Sequence, residues 1–158
     1  MARYAHEGNT RVSWVTTIAD ISGPTVAELN AGTNITGFIT KDGVNPGLSP
    51  NMVDSATIED IFDAQGVGSY GASFTLTMFR DAATDTAWDL CVYGTSGYLA
   101  VRRGVPSATA WTAAQDAEIY PAQMHEPLPE PSAANEQVKF TDQLAITDAP
   151  DLKAVVAA

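Results

Sequence analysis

Among 158 residues there is one cysteine, there are two histidines, and only eight lysines and arginines stand against nineteen carboxylates. The lone Cys91 excludes an internal disulfide, and nothing in the chain requires an oxidising compartment. His6 and His125 have no HxH or HExxH partner, so a zinc site built on them is unsupported. No run reaches the roughly eighteen apolar residues of a membrane span, and MARYAHEGNTR has no apolar h-region, so no secretory signal and no membrane association are expected. Bases are scattered, with Arg102–Arg103 the one adjacent pair, which argues against a phosphate-binding groove. A formal net charge of −11 describes a soluble surface that repels nucleic acid at close range.

Motifs of nucleotide and hydrolytic chemistry are missing too. No GxxxxGK[ST] loop and no GxSxG elbow occur, and no acid cluster has EF-hand spacing. Gly66, Gly68 and Gly71 match GxGxxG, but acidic IEDIFDAQ precedes them. SFTLTMF follows, alternating at period two as a half-buried strand does. A dinucleotide loop needs a helix there, so these glycines read as a loop feeding a strand. Asp60 with Asp63, or Asp116 with Glu118, are pairs a carboxylate hydrolase would need. An acidic chain yields such spacings by chance, so no catalytic residue and no cofactor are expected.

What is present is mainly β pattern, with 45% apolar residues to bury. Residues 11–19, 34–43, 73–79, 97–103, 115–124 and 137–147 read as strands. Pro121 suggests an edge or a bulge, and Asp142 interrupts the apolar face of the last strand. Residues 57–64 lean towards strand. Residues 24–32 read as a short helical turn. Residues 84–94 read as the main helix, capped by Thr84 or Asp85 and closed by Gly94, with Trp88 and Cys91 in the core. VNPGLSPNMVDS, with its prolines and asparagines, reads as a long loop, and 125–136 as a proline-rich connector. The expected fold is mainly β with one flanking helix: two packed antiparallel sheets forming a β-sandwich or partly closed barrel.

Several blocks carry a family likeness: RYAHEGNTRVSWV, then GFITKDGVNPGLSPNMVDSATIEDIFDAQGVGSYGASFTLTMFRD, DTAWDL, GTSGYLAVRRG and SAANEQVKFTDQLAIT. Across nearly the whole chain the sequence resembles the major tail proteins of siphovirus phages, the tube subunits of long non-contractile tails. The resemblance implies one tail tube domain over 1–158, with an N-terminal arm at 1–10, a long loop at 43–57 and a C-terminal tail at 148–158. It implies hexameric rings stacked into a tube, strands joined into a continuous barrel around a lumen, and DNA passing through without specific binding. The implied partners are further copies of the chain, a tape measure protein inside the tube, and tail terminator and baseplate or distal tail proteins at its ends. The implied location is the virion, after assembly in the host cytoplasm.

By position, the loop joining subunits would offer Val44, Asn45, Leu48, Asn51, Met52 and Val53. The arms 1–10 and 125–136 would join neighbours as well. Six copies would carry a formal −66, six times −11, and screening confines the repulsion of DNA to about 8 Å. Glu59, Asp60 and Asp63 are the lumen-lining candidates, on an expected hairpin strand. Gly66, Gly68 and Gly71 become candidate hinges or points of close backbone approach. An alternative reading is a virion decoration or carbohydrate-binding β-sandwich, with Trp111 stacking on sugar while Trp14 and Trp88 stay in the core.

Overall fold

A computed structural model describes residues 3–158; Met1 and Ala2 of the N-terminal arm lie outside the described residues. Nine strands and two short helices follow in order. They are β1 (Thr10–Val15), α1 (Val26–Ala31), β2 (Thr33–Asn34), β3 (Ile39–Asp54), β4 (Gln65–Phe79), α2 (Thr86–Leu90), β5 (Ser96–Arg103), β6 (Asp116–Gln123), β7 (Leu128–Pro129), β8 (Lys139–Ile146) and β9 (Asp151–Val155). All strand pairs are antiparallel, in the order β2-β1-β5-β6-β8-β4-β3, with β7 added to β8 and β9 to β6.

The sheet is one surface bent into two facing halves, which gives the expected sandwich without closing a barrel. β6 and β8 share only Ala122↔Ile146 and Gln123↔Ala145. At that corner the β4–β8 half folds over the β1–β5–β6 half. Between them Val12, Trp14, Leu99, Val101 and Tyr120 meet Phe74, Leu76, Met78, Phe140 and Leu144 in one apolar core. Alternation places these residues: in β4, Phe74, Leu76 and Met78 point inward and Thr75 and Thr77 outward.

The far face of β1–β5–β6 is covered as well. Val15, Ala100 and Ile119 pack there against Leu29 of α1, Trp111, and Ala154 and Val156 at the C-terminal end. α1 begins with a capping box: the Thr25 side chain accepts from the Glu28 N–H while the Glu28 carboxylate accepts from Thr25 N at 2.8 Å. Those bonds hold the Glu28 carboxyl below its usual range. Arg102 is buried beside Trp111, its guanidinium 5.1 Å from the ring centroid. It donates to the carbonyls of Pro106, Thr109 and Ala110 and to Gln115 Oε1 at 2.8–3.0 Å. One fork of donors thereby shapes the whole β5–β6 loop.

Several expectations need correction. Residues 43–57 are mostly strand, the outer half of β3, because proline is tolerated where its nitrogen points off a sheet edge. Residues 57–64 are not strand but the exposed turn between β3 and β4. The helix expected over 84–94 is five residues long and ends at Leu90, with Cys91 as its C-cap; Gly94, at φ +79°, turns the chain towards β5 instead. Pro121 is neither at an edge nor in a bulge. It lies inside β6 where the neighbour changes from β9 to β8, so no ladder partner misses its N–H. The tail 148–158 contains β9 and is docked on β6. The connector 125–136 contributes β7 to β8.

Candidate assembly surface

β3 and β4 run on together past the core as a two-stranded ribbon. Val44↔Leu76 and Pro46↔Phe74 lie over the core, and the ladder continues through Leu48↔Ala72 and Pro50↔Tyr70. A register shift follows, then Met52↔Val67 and Asp54↔Gln65. Paired residues share a face, so the core-facing side of the sheet extends outward as Pro46, Leu48, Pro50 and Met52 opposite Phe74, Ala72, Tyr70 and Val67. No second layer covers the outer part: Leu48, Met52, Val67 and Tyr70 are all exposed. The reverse side carries Asn45, Gly47, Ser49 and Val53 opposite Thr75, Ser73, Gly71 and Gly66. Asn51 Nδ2 donates to Ser69 Oγ at 3.1 Å.

The six residues expected to join subunits are therefore divided. Val44, Leu48 and Met52 lie on the apolar side, and Asn45, Asn51 and Val53 on the other. Sequence reading missed Pro46, Pro50, Val67 and Tyr70. Their signal was the period-two run Val44, Pro46, Leu48, Pro50, Met52, hidden by its prolines. β3 is the last strand of the sheet, and a proline fits its ladder only with the nitrogen turned away from β4. Pro46 and Pro50 thus remove two donors from the free edge.

The ribbon ends in a turn closed by Ser55 N–H and Oγ–H donating to Ala64 O at 3.1 and 3.0 Å. Glu59, Asp60 and Asp63 lie in this turn rather than on a strand. Asp60 Oδ2 accepts from Thr57 N and Oγ1 at 2.7 and 2.9 Å, which holds its carboxyl below the usual range. Beside these acids Ile58, Ile61 and Phe62 are 103%, 106% and 80% exposed. Between Asp42 and Phe79 there are five carboxylates and no base.

Gly66, Gly68 and Gly71 are strand residues of β4 without positive φ, so the loop reading does not fit them. Gly68 serves close approach: a Cβ there would stand 2.7 Å from Asn51 O. Gly71 has open space around it.

The outer face of β3–β4–β8 is likewise uncovered by the chain's own layers among the described residues. It presents Asn45, Thr75 and Gln143 in one row and Thr77 with Thr141 in the next. Lys139 opposite Phe79 marks one end, and Glu130 Oε1 accepts a hydrogen bond from the Thr141 hydroxyl at 2.7 Å. Hydroxyls and amides make up its middle, while Phe79 and the exposed Leu128 of β7, opposite Thr141, lie at its margins with one charge of each sign.

Where the two ends of the sheet approach without pairing, a groove of about 460 Å³ opens. Val12, Ile39 and Val44 give it apolar walls, and His6, Glu7 and Lys41 line it too. His6 Nδ1 is 3.0 Å from Thr10 Oγ1.

Trp111, on which a sugar-binding reading rested, is 1% exposed and beneath Arg102, so no sugar stacks on it. Trp14 is in the core, and Trp88 packs half-buried on Phe140 with Arg80 over its ring. Among the described residues no group of three or more His, Cys, Asp or Glu side chains is placed to hold a metal ion.

A family model described as phage tail tube protein matches residues 1–158. Among solved structures, the chain is similar to one in the cryo-EM structure of the anti-feeding prophage (AFP) baseplate, six-fold symmetrised. The TM-score is 0.57 at 12% identity, over 94% of this chain and 95% of that one. No curated protein matches the chain in sequence.

Proposed function

The chain belongs to the phage tail tube protein family, and from that premise we propose that it builds stacked six-membered rings around a bore that conducts DNA, in a non-contractile tail of the siphovirus type. Its role in the tail is structural. The six-fold symmetry of the structurally similar baseplate supports the ring size. The tape measure protein then occupies the bore during assembly. Terminator and baseplate or distal tail proteins close its ends. Copies assemble in the host cytoplasm and remain in the virion.

The observation that carries this reading is the uncovered outer face of β3–β4–β8. Thr75, Thr77, Thr141, Gln143 and Asn45 make a wall that hydrates well and presents no cluster of cations. Phosphates held by arginine and lysine bind tightly and release with difficulty; hydroxyls and amides offer them only neutral hydrogen bonds, without the charge that makes binding tight. The bore acids proposed from sequence are replaced in this arrangement. Glu59, Asp60 and Asp63 sit at the end of the ribbon, and the repulsion comes from the excess carboxylate of every copy.

Cryo-electron microscopy of self-assembled protein or of the virion tail tests the proposal. The expected map has six copies per ring and Thr75, Thr77 and Gln143 towards the bore. A solid filament, or a bore lined by Arg and Lys, would overturn it.

A further inference from the structure

We propose that Arg11, with Arg102 behind it, binds a single doubly charged tetrahedral oxyanion, inorganic phosphate being the type. The site lies on the far face of β1–β5, the face that Trp111 covers, and not on the outer face of β3–β4–β8. It therefore goes beyond the assembly reading and does not depend on it.

Arg11 of β1 and Arg102 of β5 are direct cross-strand partners. They share a face of the sheet, with Cβ atoms about 5 Å apart, and like charges so placed repel. Both reach the same loop. Arg11 Nη1 donates to Ser107 O at 3.2 Å and to Thr109 O at 3.1 Å, and Arg102 Nη2 donates to the same Thr109 O at 2.8 Å. Every acceptor of the pair is neutral, and residues 104–110 carry no charge. Neither guanidinium forms an ion pair among the described residues. Burial pushes both below the usual arginine range, and the Arg11 charge adds to that at Arg102. Two positive charges thus stand together with nothing negative to balance them.

The free donors are arranged to take a balancing charge. Arg102 spends its Nη groups on Pro106, Thr109, Ala110 and Gln115, so its charge acts from behind. Arg11 spends only Nη1. Its Nε is buried without a partner, while its Nη2 donates no bond among the described residues and is not sealed from water. Nε and Nη2 form one edge of the planar group, an edge that grips two oxygens at once. Arg103 shows what that edge takes: its Nε donates to Glu118 Oε1 at 2.8 Å and its Nη2 to Glu118 Oε2 at 3.4 Å. Arg80 likewise turns its Nε to Asp85.

The Arg11 edge is the same fork with no acid in front of it. An oxyanion meets Nη2 from the solvent side and takes Nε with a small turn of this half-exposed side chain. Two cations side by side favour a divalent anion over a carboxylate. The cleft that holds Arg103 and Lys153 suits such an ion less well, because Asp116 and Glu118 line it and Glu118 already fills the Arg103 fork. The arginine pair makes a point site, not a groove for a nucleic-acid backbone.

Phenylglyoxal, which condenses with free guanidiniums, tests the open edge on the full chain, with the modified arginines located by mass spectrometry. Slightly above neutral pH and at matched ionic strength, sodium phosphate should slow modification of Arg11 roughly fivefold relative to sodium chloride. The slowing should saturate, and Arg3, exposed in the N-terminal arm, should react equally in both salts. Resistance of Arg11 in chloride would mean that the edge is closed. Equal rates for Arg11 in both salts, or equal slowing of Arg3, would mean that no site exists. Each of these results overturns the proposal. Thermal melts give a second reading. Phosphate should raise the melting temperature of the parent above its chloride value in a saturable way. Arg11→Lys keeps the charge and loses the fork, so it should need roughly tenfold more phosphate for half the effect. The rise is read from each protein's own chloride baseline, so a less stable variant still gives an answer. An unchanged half-point in Arg11→Lys would overturn the assignment to this fork.

Discussion

Phe74 and Tyr120 meet edge to face, their ring centroids 4.8 Å apart and their planes at 70°. Phe74 belongs to the half-sheet that carries the ribbon and Tyr120 to the half that carries the body. β6 and β8 share only two residue pairs, so side-chain packing across the bend, more than the ladder, holds the halves face to face. Phe74→Ala should cost about 3–5 kcal/mol, seen as a lower denaturant midpoint. Tyr120→Phe keeps the ring and loses only the hydroxyl's 3.1 Å bond to Glu118, an effect of about 1 kcal/mol.

Asp142 is a buried carboxylate with one satisfied oxygen. Oδ1 accepts from His125 N at 3.2 Å, and Oδ2 has no partner. Burial pushes its carboxyl above the usual range, against the pull of the Cys91 thiol, the His125 N–H and the His125 ring. An acid whose folded value is raised favours folding below the unfolded value, about pH 4. That contribution is lost as pH rises through the folded value. Asp142→Asn should therefore melt higher than the parent at pH 7. The advantage should vanish near pH 4 in a thermal-melt series.

Arg102 holds the β5–β6 loop through four donated bonds to neutral acceptors. Lysine keeps the charge but not the planar fork. Arg102→Lys should cost roughly 2–4 kcal/mol, since bonds from a charged donor contribute about 1.5–3 kcal/mol each. Hydrogen exchange should show residues 104–115 opening first.

The bore assignment predicts a change in transport without a change in fold. Thr75→Lys with Gln143→Lys places two cations per copy on the uncovered face, where the residues are neighbours in register. Tubes should still assemble, and DNA release from reconstituted particles should slow and become salt-dependent, as phosphate contacts are. Release at the parental rate would mean that this face is not the wall.

Thr25→Val removes the side-chain acceptor that caps α1. The expected loss is about 1 kcal/mol, with tube formation unchanged because α1 lies on the covered side of the sheet.

Much of the body was legible because its strands alternate cleanly. Phe74, Leu76 and Met78, or Leu99 and Val101, announce their faces by period alone. The ribbon was misread where local chemistry and context disagree. Pro46, Gly47, Pro50 and Asn51 are turn formers, yet an edge strand tolerates them. Ile58, Asp60 and Phe62 alternate like a strand, yet nothing stands opposite them to pair with. Trp111 carries no periodic signal. Its place depends on Asn30, whose side chain brackets the Trp111 backbone with bonds of 3.0 Å, and on Arg102. Contacts so distant along the chain leave no local pattern. Asp142 looked like an interruption and is instead a core residue that kept its charge-bearing group.

The two prolines on the outer strand blunt its free edge. A bare β edge of sixteen residues recruits any extended peptide, and a cell filling with such a subunit would precipitate it as tangled fibre. With nitrogens in place of N–H groups at Pro46 and Pro50, a foreign strand finds its hydrogen-bond pattern broken after every few steps. Indiscriminate strand addition along this edge is thereby discouraged.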